Sequence, residues 1–89
     1  MADVRDLERQ CKALGQRRRI RIIAFLKHRR GAMAGEIAKH VQCSKQTASQ
    51  HLRVLREARI VLDRKRGLNV LYVLSPHMGE MARTLLRMV

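Results

Sequence analysis

Eighty-nine residues make one domain with a single modest core, near the size at which a partner subunit often supplies needed burial. Twenty Lys and Arg against seven Asp and Glu give a formal net charge of +13, so a polyanionic partner is expected, either nucleic acid or an anionic membrane surface. The apolar runs are too short to span a bilayer, and one Tyr, one Phe and no Trp leave little to stack on unpaired bases, which argues against a single-strand or RNA-recognition module.

The opening stretch MADVRDLERQ has neither the apolar segment of a signal peptide nor a lipidation motif, which predicts a cytoplasmic protein. In VRDLERQCKAL, the residues Val4, Leu7, Cys11 and Leu14 fall at steps of three and four, giving a first helix over 3–14 with one apolar seam. Gly15 breaks that pattern. QRRRIRIIAFLKHRR then reads as a second helix, dense in Arg, with Ile20, Ile23, Ala24 and Leu26 as its buried side, Ile22 close to that face and Gly31 as its end. Arg17, Arg18, Arg19 and Arg21 are expensive to bury unpaired and are expected to meet solvent, an acid or phosphate.

The stretch GEIAKHVQCSKQTASQHLRVLREARI organises the rest. Ile37, Ala38 and Val41 give a short helix one apolar stripe, and Ser44 is placed to cap a second helix beginning at Lys45. Along that second helix Ala48, Leu52 and Leu55 take one side, while Lys45, Gln46, Ser49, Gln50 and Arg53 form a polar face without an acid. Amides and hydroxyls can address base edges, and Lys or Arg can bond phosphates or guanine, so this face suits a major-groove reader. An ordinary amphipathic surface helix is the alternative.

Beyond Ile60 the period changes to that of strands. Val61-Leu62-Asp63-Arg64-Lys65-Arg66 and Asn69-Val70-Leu71-Tyr72-Val73-Leu74 flank Gly67-Leu68, a hairpin pattern that carries Arg64, Lys65, Arg66 and Asn69 at its tip as a basic wing. Ser75 and Pro76 are expected to open a last helix over 76–89, with Met78, Met81, Ala82, Leu85 and Val89 as an apolar stripe. Two terminal helices with apolar seams predict a dimer interface made by Val4, Leu7, Cys11, Met78, Met81, Leu85 and Val89, unless both seams fold back on their own core. The expected fold is thus mainly α with a small β-hairpin wing, a winged helix-turn-helix in the order ααααββα, occupying residues 1–89 as one DNA-binding domain.

In this arrangement the chain resembles the ArsR/SmtB family of winged-helix bacterial repressors over nearly its whole length. Ala13, Leu14, Arg19, Ile20 and Ile22 are similar to the family's opening of the second helix. Glu36-Ile37-Ala38, Ser44, Ala48-Ser49-x-His51-Leu52 and Leu55-Arg56-Glu57-Ala58 resemble its diagnostic run, and Gly67, Tyr72 and Leu74 fit its wing. The chain departs from the pattern at Arg59, where the family usually has Gly to end the recognition helix, and at Arg17, where it usually has Pro. The resemblance implies a homodimeric repressor that reads an inverted repeat in double-stranded DNA. Lys45, Gln46, Thr47, Ser49, Gln50, Arg53 and Arg56 would lie on the recognition helix against DNA, and Arg64, Lys65, Arg66 and Asn69 would lie on the wing.

Many members of that family also sense metals. The positions of the Cys-x-Cys pair used by some are occupied here by Met33 and Gly35, so no thiolate pair is expected there. His77 and Glu80 could supply half of a site across a dimer, but the upstream Asp-x-His is missing. No metal or other cofactor is therefore expected. Cys11 and Cys43 stand where the pattern asks for small apolar residues and read as packing rather than as a thiol switch. His51 reads as a structural histidine. A nucleoid-type protein binding DNA through charge alone, or a winged helix that holds another protein, are the competing functions. With no Gly-rich phosphate loop and no activated-nucleophile pattern, an enzyme is not expected.

Overall fold

The computed structural model describes residues 3–89, so the first two positions of the expected domain lie outside the described residues. Five helices and one hairpin follow in the order α1 (Val4–Leu14), α2 (Arg17–Lys27), α3 (Ala34–Val41), α4 (Lys45–Glu57), β1 (Val61–Arg66), β2 (Asn69–Leu74) and α5 (Glu80–Met88). This is the winged helix-turn-helix that the periodicities predict. Among the described residues no helix is long and apolar enough to cross a membrane.

The core is built where apolar residues recur at helical spacing on facing helices. Ile22, Ile23 and Leu26 of α2, Ile37 and Val41 of α3, and Leu52 and Leu55 of α4 are almost wholly buried, joined by Ile60 and Val61 at the start of the wing. Burying one such side chain contributes about 1.5–3 kcal/mol, so this cluster fixes the mutual placement of the three central helices. On α2 the buried line is Ile22, Ile23 and Leu26, whereas Ile20 and Ala24 are only half-buried. The buried face is therefore rotated slightly from the one the spacing predicts.

Local chemistry explains most helix ends. Asp3 caps α1, its Oδ1 accepting from the Arg5 N–H at 2.9 Å, and Asp6 adds favourable charge to the first turn. Ser44 caps α4 as expected, its hydroxyl oxygen accepting from the Thr47 N–H at 3.0 Å. Both helices of the helix-turn-helix finish in a left-handed residue that is not glycine. Gln42 has φ 57° and Arg59 has φ 62°. After α4 the Ile60 N–H donates to the Leu55 carbonyl and the Arg59 N–H to the Arg56 carbonyl, each at 2.9 Å, which is the Schellman pattern.

Two expected boundaries are corrected. α2 stops at Lys27 rather than at Gly31, because the chain must turn to let Ala32 exchange two backbone hydrogen bonds with Tyr72 of β2. Side chains fix this turn: Arg29 lies 4.7 Å over the Phe25 ring and 3.0 Å from the Glu36 carboxylate, and Phe25 stacks on His40. At the other end, Ser75 and Pro76 do not begin α5. The Ser75 hydroxyl accepts from the His77 N–H at 3.1 Å, forming a local turn, and Arg83 donates to the Pro76 and Met78 carbonyls, so the helix starts only at Glu80. Gly79 precedes it beneath the Gln10 amide, in a space that a Cβ would overlap.

Candidate nucleic-acid interface

Helical geometry divides α4 into a buried line, two exposed strips and one half-buried strip. Opposite Ala48, Leu52 and Leu55 stand Gln46, Gln50 and Arg53, all exposed. Lys45 and Ser49 lie on the strip facing the wing and share with Glu36, Leu68, Asn69, Val70 and Tyr72 the lining of an open groove of about 370 Å³. Thr47 and His51 lie on the other strip and are half-buried. Thr47 is also engaged locally, its hydroxyl oxygen accepting from the Ser44 hydroxyl at 2.9 Å, so it is less free than its neighbours to address a base.

The wing pairs in the register Val61↔Leu74 to Arg66↔Asn69, with Gly67 at φ +61° in the two-residue turn, where a left-handed residue is needed. Alternation splits its basic run. Lys65 shares a face with Asp63, Val70 and Tyr72, while Arg64 and Arg66 share the opposite face with Leu62 and Leu71. Arg64, Lys65, Arg66 and Asn69 are all exposed. Arg56 behaves differently from the rest of the recognition helix. Its guanidinium lies 3.4 Å from the Asp63 carboxylate, so it ties α4 to β1. Sequence spacing gave no sign of that pair.

His51 has a partner. Arg19 Nη1 stands 3.2 Å from His51 Nδ1, and because a guanidinium can only donate, Nδ1 is the acceptor and the imidazole proton sits on Nε2. Burial, then the charges of Arg19 and Arg18, hold His51 below the ordinary histidine pKa. It is therefore neutral at neutral pH. Arg19 also donates from Nε to the Ala13 carbonyl at 2.6 Å and from Nη2 to the Lys12 carbonyl at 3.1 Å, closing the C-terminus of α1. One side chain thus links α1, α2 and the recognition helix.

The terminal helices meet on the far side of the molecule. Cys11, Leu14, Met81, Leu85 and Met88 line a shallow apolar groove of about 300 Å³ between α1 and α5. Val4 is 76% exposed, Met81 41%, Met88 79% and Val89 41%, so this face has no cover within the described chain. Two expectations change. Met78 is only 6% exposed and belongs to the protein's own core, leaving little of it for a partner. Cys11 is exposed rather than packed, since α1 turns Gln10, Ala13 and Leu14 inward instead of the Val4–Cys11 line. Cys43 is half-buried against the core, as its place in the turn suggested.

The two possible metal ligands border different clefts. His77 borders a cleft with Asp6, Gln10 and Glu57, whereas Glu80 borders another with Arg83 and Arg87. Among the described residues no three His, Cys, Asp or Glu side chains are grouped to hold a metal ion.

Comparison with known proteins places this geometry. Residues 14–64 match a family model described as a helix-turn-helix domain. The HTH-type transcriptional regulator Rv2034 of Mycobacterium tuberculosis is 39% identical over 77 residues, an alignment covering 85% of this chain and 70% of that protein. The transcriptional repressor SdpR of Bacillus subtilis is 37% identical over 65 residues, covering 72% of this chain and 70% of the other. The fold superposes with a TM-score of 0.81 on the homodimeric winged helix-turn-helix DNA-binding domain Mb0332 of Mycobacterium bovis, a possible ArsR-family regulator. That match has 26% identity and covers 96% of this chain and 75% of the other.

The chain belongs to the ArsR family of winged helix-turn-helix transcriptional regulators. As an ArsR-family protein it is a DNA-binding regulator of transcription rather than an enzyme. The family motif around Arg19 and His51 acquires a physical meaning here, because these two side chains bond to each other and orient α4.

Proposed function

We propose that the protein is a homodimeric repressor that reads an inverted repeat in double-stranded DNA. The observation that carries this reading is the exposed, acid-free strip Gln46, Gln50 and Arg53, held beside the wing by the buried junction of Leu55, Ile60 and Val61. Gln46, Ser49 and Gln50 address base edges in the major groove, with Thr47 as a minor contributor. Lys45 on the wing side of that strip and Arg53 within it bond phosphates, and Arg64, Lys65, Arg66 and Asn69 engage the backbone and the adjacent minor groove. Arg56, engaged by Asp63 at 3.4 Å, is a lesser phosphate contact.

Dimerisation joins two such readers. Leu7, Cys11, Met81, Leu85 and Met88, with Val4 and Val89 at the margin, form the self-complementary surface, so α1 and α5 serve as the dimerisation helices of a single domain. The homodimeric state of the structurally similar Mycobacterium bovis domain and the repressor function of the Bacillus subtilis relative support this assignment. A twofold dimer predicts half-site centres about one helical turn, ~34 Å, or a multiple of it apart.

Enrichment of binding sequences from a random duplex library tests the proposal. An enriched inverted repeat with that spacing is the expected result. Enrichment of a single unrepeated half-site would reject the dimeric reading, and failure to enrich any sequence despite tight binding would favour the nucleoid-type function that the charge of +13 also permits.

A further inference from the structure

The recognition helix has two flanks, and the wing occupies only one of them. Lys45 and Ser49 face the wing groove, whereas Thr47 and His51 face the N-terminal end of α2, to which His51 is bonded through Arg19. At that end Arg18 Nη2 donates to the Gln42 carbonyl at 3.4 Å and Arg21 Nη2 to the His40 carbonyl at 3.0 Å. With exposed Arg17 they border an open cleft of about 440 Å³, lined otherwise by Gln16, Val41 and Gln42 and containing no acid. Each guanidinium carries five N–H donors, so one bond to a carbonyl leaves most of them free.

Folding uses only part of this cluster: Arg18 and Arg21 each give one donor to a carbonyl at the C-terminal end of α3, as that helix's dipole favours, and their other donors are left over. α1 opens with Asp3 and Asp6 at the positive end of its dipole, as stability favours, but α2 opens with three consecutive arginines and no acid in its first turn. That arrangement costs the free chain stability and is relieved by an anion. The cleft is also continuous with the turn Gln42-Cys43-Ser44 that leads into α4, so whatever α4 touches lies beside it.

The geometry points to a second phosphate-binding flank: Arg17, Arg18 and Arg21 hold the sugar-phosphate backbone on the side of the major groove opposite the wing. A major groove, about 12 Å wide, is bordered by two backbones, and the helix inserted in it is straddled by cations from α2 and from the wing. The occupant is the same duplex that α4 reads, and the inference rests on that reading.

The test compares the unaltered protein with the triple variants Arg17→Gln/Arg18→Gln/Arg21→Gln and Arg17→Lys/Arg18→Lys/Arg21→Lys on a duplex enriched by the unaltered protein, across a salt series. Each lost phosphate contact removes ~0.9 from the slope of log affinity against log salt, so the Gln variant is expected to lose about 2–3 units while keeping its preference over scrambled DNA. The Lys variant is expected to keep the slope. Circular dichroism establishes that the variants fold. If the Gln triple does not, Arg17→Gln alone changes an exposed side chain and is expected to lose about 0.9. An unchanged slope in a folded Gln variant, or a Lys variant as impaired as the Gln one, would overturn the assignment. Failure of the unaltered protein to bind any duplex would instead overturn the reading of α4 and this inference with it.

Discussion

The surface around α4 and the surface around α1 and α5 are opposite in chemistry. Near α4 the cations stand apart from acids: among the described ion pairs only Arg56–Asp63 involves the recognition helix or the wing, and Lys45, Arg53, Arg64, Lys65 and Arg66 take part in none. On α1 the charges are matched within the helix, Arg9 with Asp6 at 3.6 Å and Lys12 with Glu8 at 3.9 Å, and the exposed surplus is apolar instead. Such exposed pairs add little stability, so their value lies in leaving α1 without a strong field of one sign. The chain thus presents unpaired charge where DNA is to lie and uncharged apolar surface where a second copy is to lie.

The largest expected effect comes from breaking the apolar side. Met81→Glu places a charge in the groove between α1 and α5 without touching the chain's own core, and it is expected to give a folded monomer in sedimentation equilibrium. Loss of the linked second half-site should weaken operator binding about a hundredfold or more. A dimer that survives this change would remove α1 and α5 from the interface. On the charged side, Gln50→Ala is expected to cost about 1–3 kcal/mol on the operator and little on scrambled DNA. Arg66→Ala is expected to weaken both about equally, with the salt slope reduced by ~0.9. Competition titrations on the two duplexes separate these outcomes, and the same loss on both for Gln50→Ala would mean that α4 does not read bases there.

Two smaller effects probe the joint between the regions. Arg59 has φ 62°, a conformation that costs a residue with a Cβ about 1–2 kcal/mol, so Arg59→Gly is expected to raise stability. Greater freedom of glycine in the unfolded chain offsets part of this, leaving about 0.5–1 kcal/mol in chemical denaturation. His51 should make stability pH-dependent. Its folded pKa is depressed, so between that value and about 6.5 the unfolded chain binds more protons than the folded one. The contribution is therefore full above about pH 6.5 and is lost as pH falls toward the folded value. Melting curves of the native protein and of His51→Gln across this window are expected to differ in slope, with the native protein losing more as acid is added.

The helix-turn-helix and the wing were legible in the sequence because each is specified by short-range pattern. Ile37, Ala38 and Val41, the Ser44 cap, the Ala48–Leu52–Leu55 line and the alternation from Asn69 to Leu74 need no knowledge of distant residues. The misplaced features are those decided by tertiary contact. Gly31 looked like a stop, but pairing of Ala32 with Tyr72 ends α2 earlier. Ser75-Pro76 looked like a helix start, but the bond from His77 to Ser75 and the packing of Met78 into the core delay α5 to Glu80. The apolar seam of α1 was real, yet spacing could not say whether Val4, Leu7 and Cys11 or the adjacent Gln10 and Ala13 would face inward. Nor could composition reveal that Arg19 would hold His51 or that Arg56 would be held by Asp63, since both pairs join residues far apart in the chain or across two elements.

The most direct test of the central claim is the ratio of affinities for the enriched duplex and for a scrambled duplex of equal length at physiological salt, measured for the native protein and for Gln46→Ala/Gln50→Ala. The expected result is a native ratio of about a thousandfold or more that collapses in the double variant while binding to scrambled DNA persists. A native ratio near one, or a ratio that the double variant leaves intact, would contradict it.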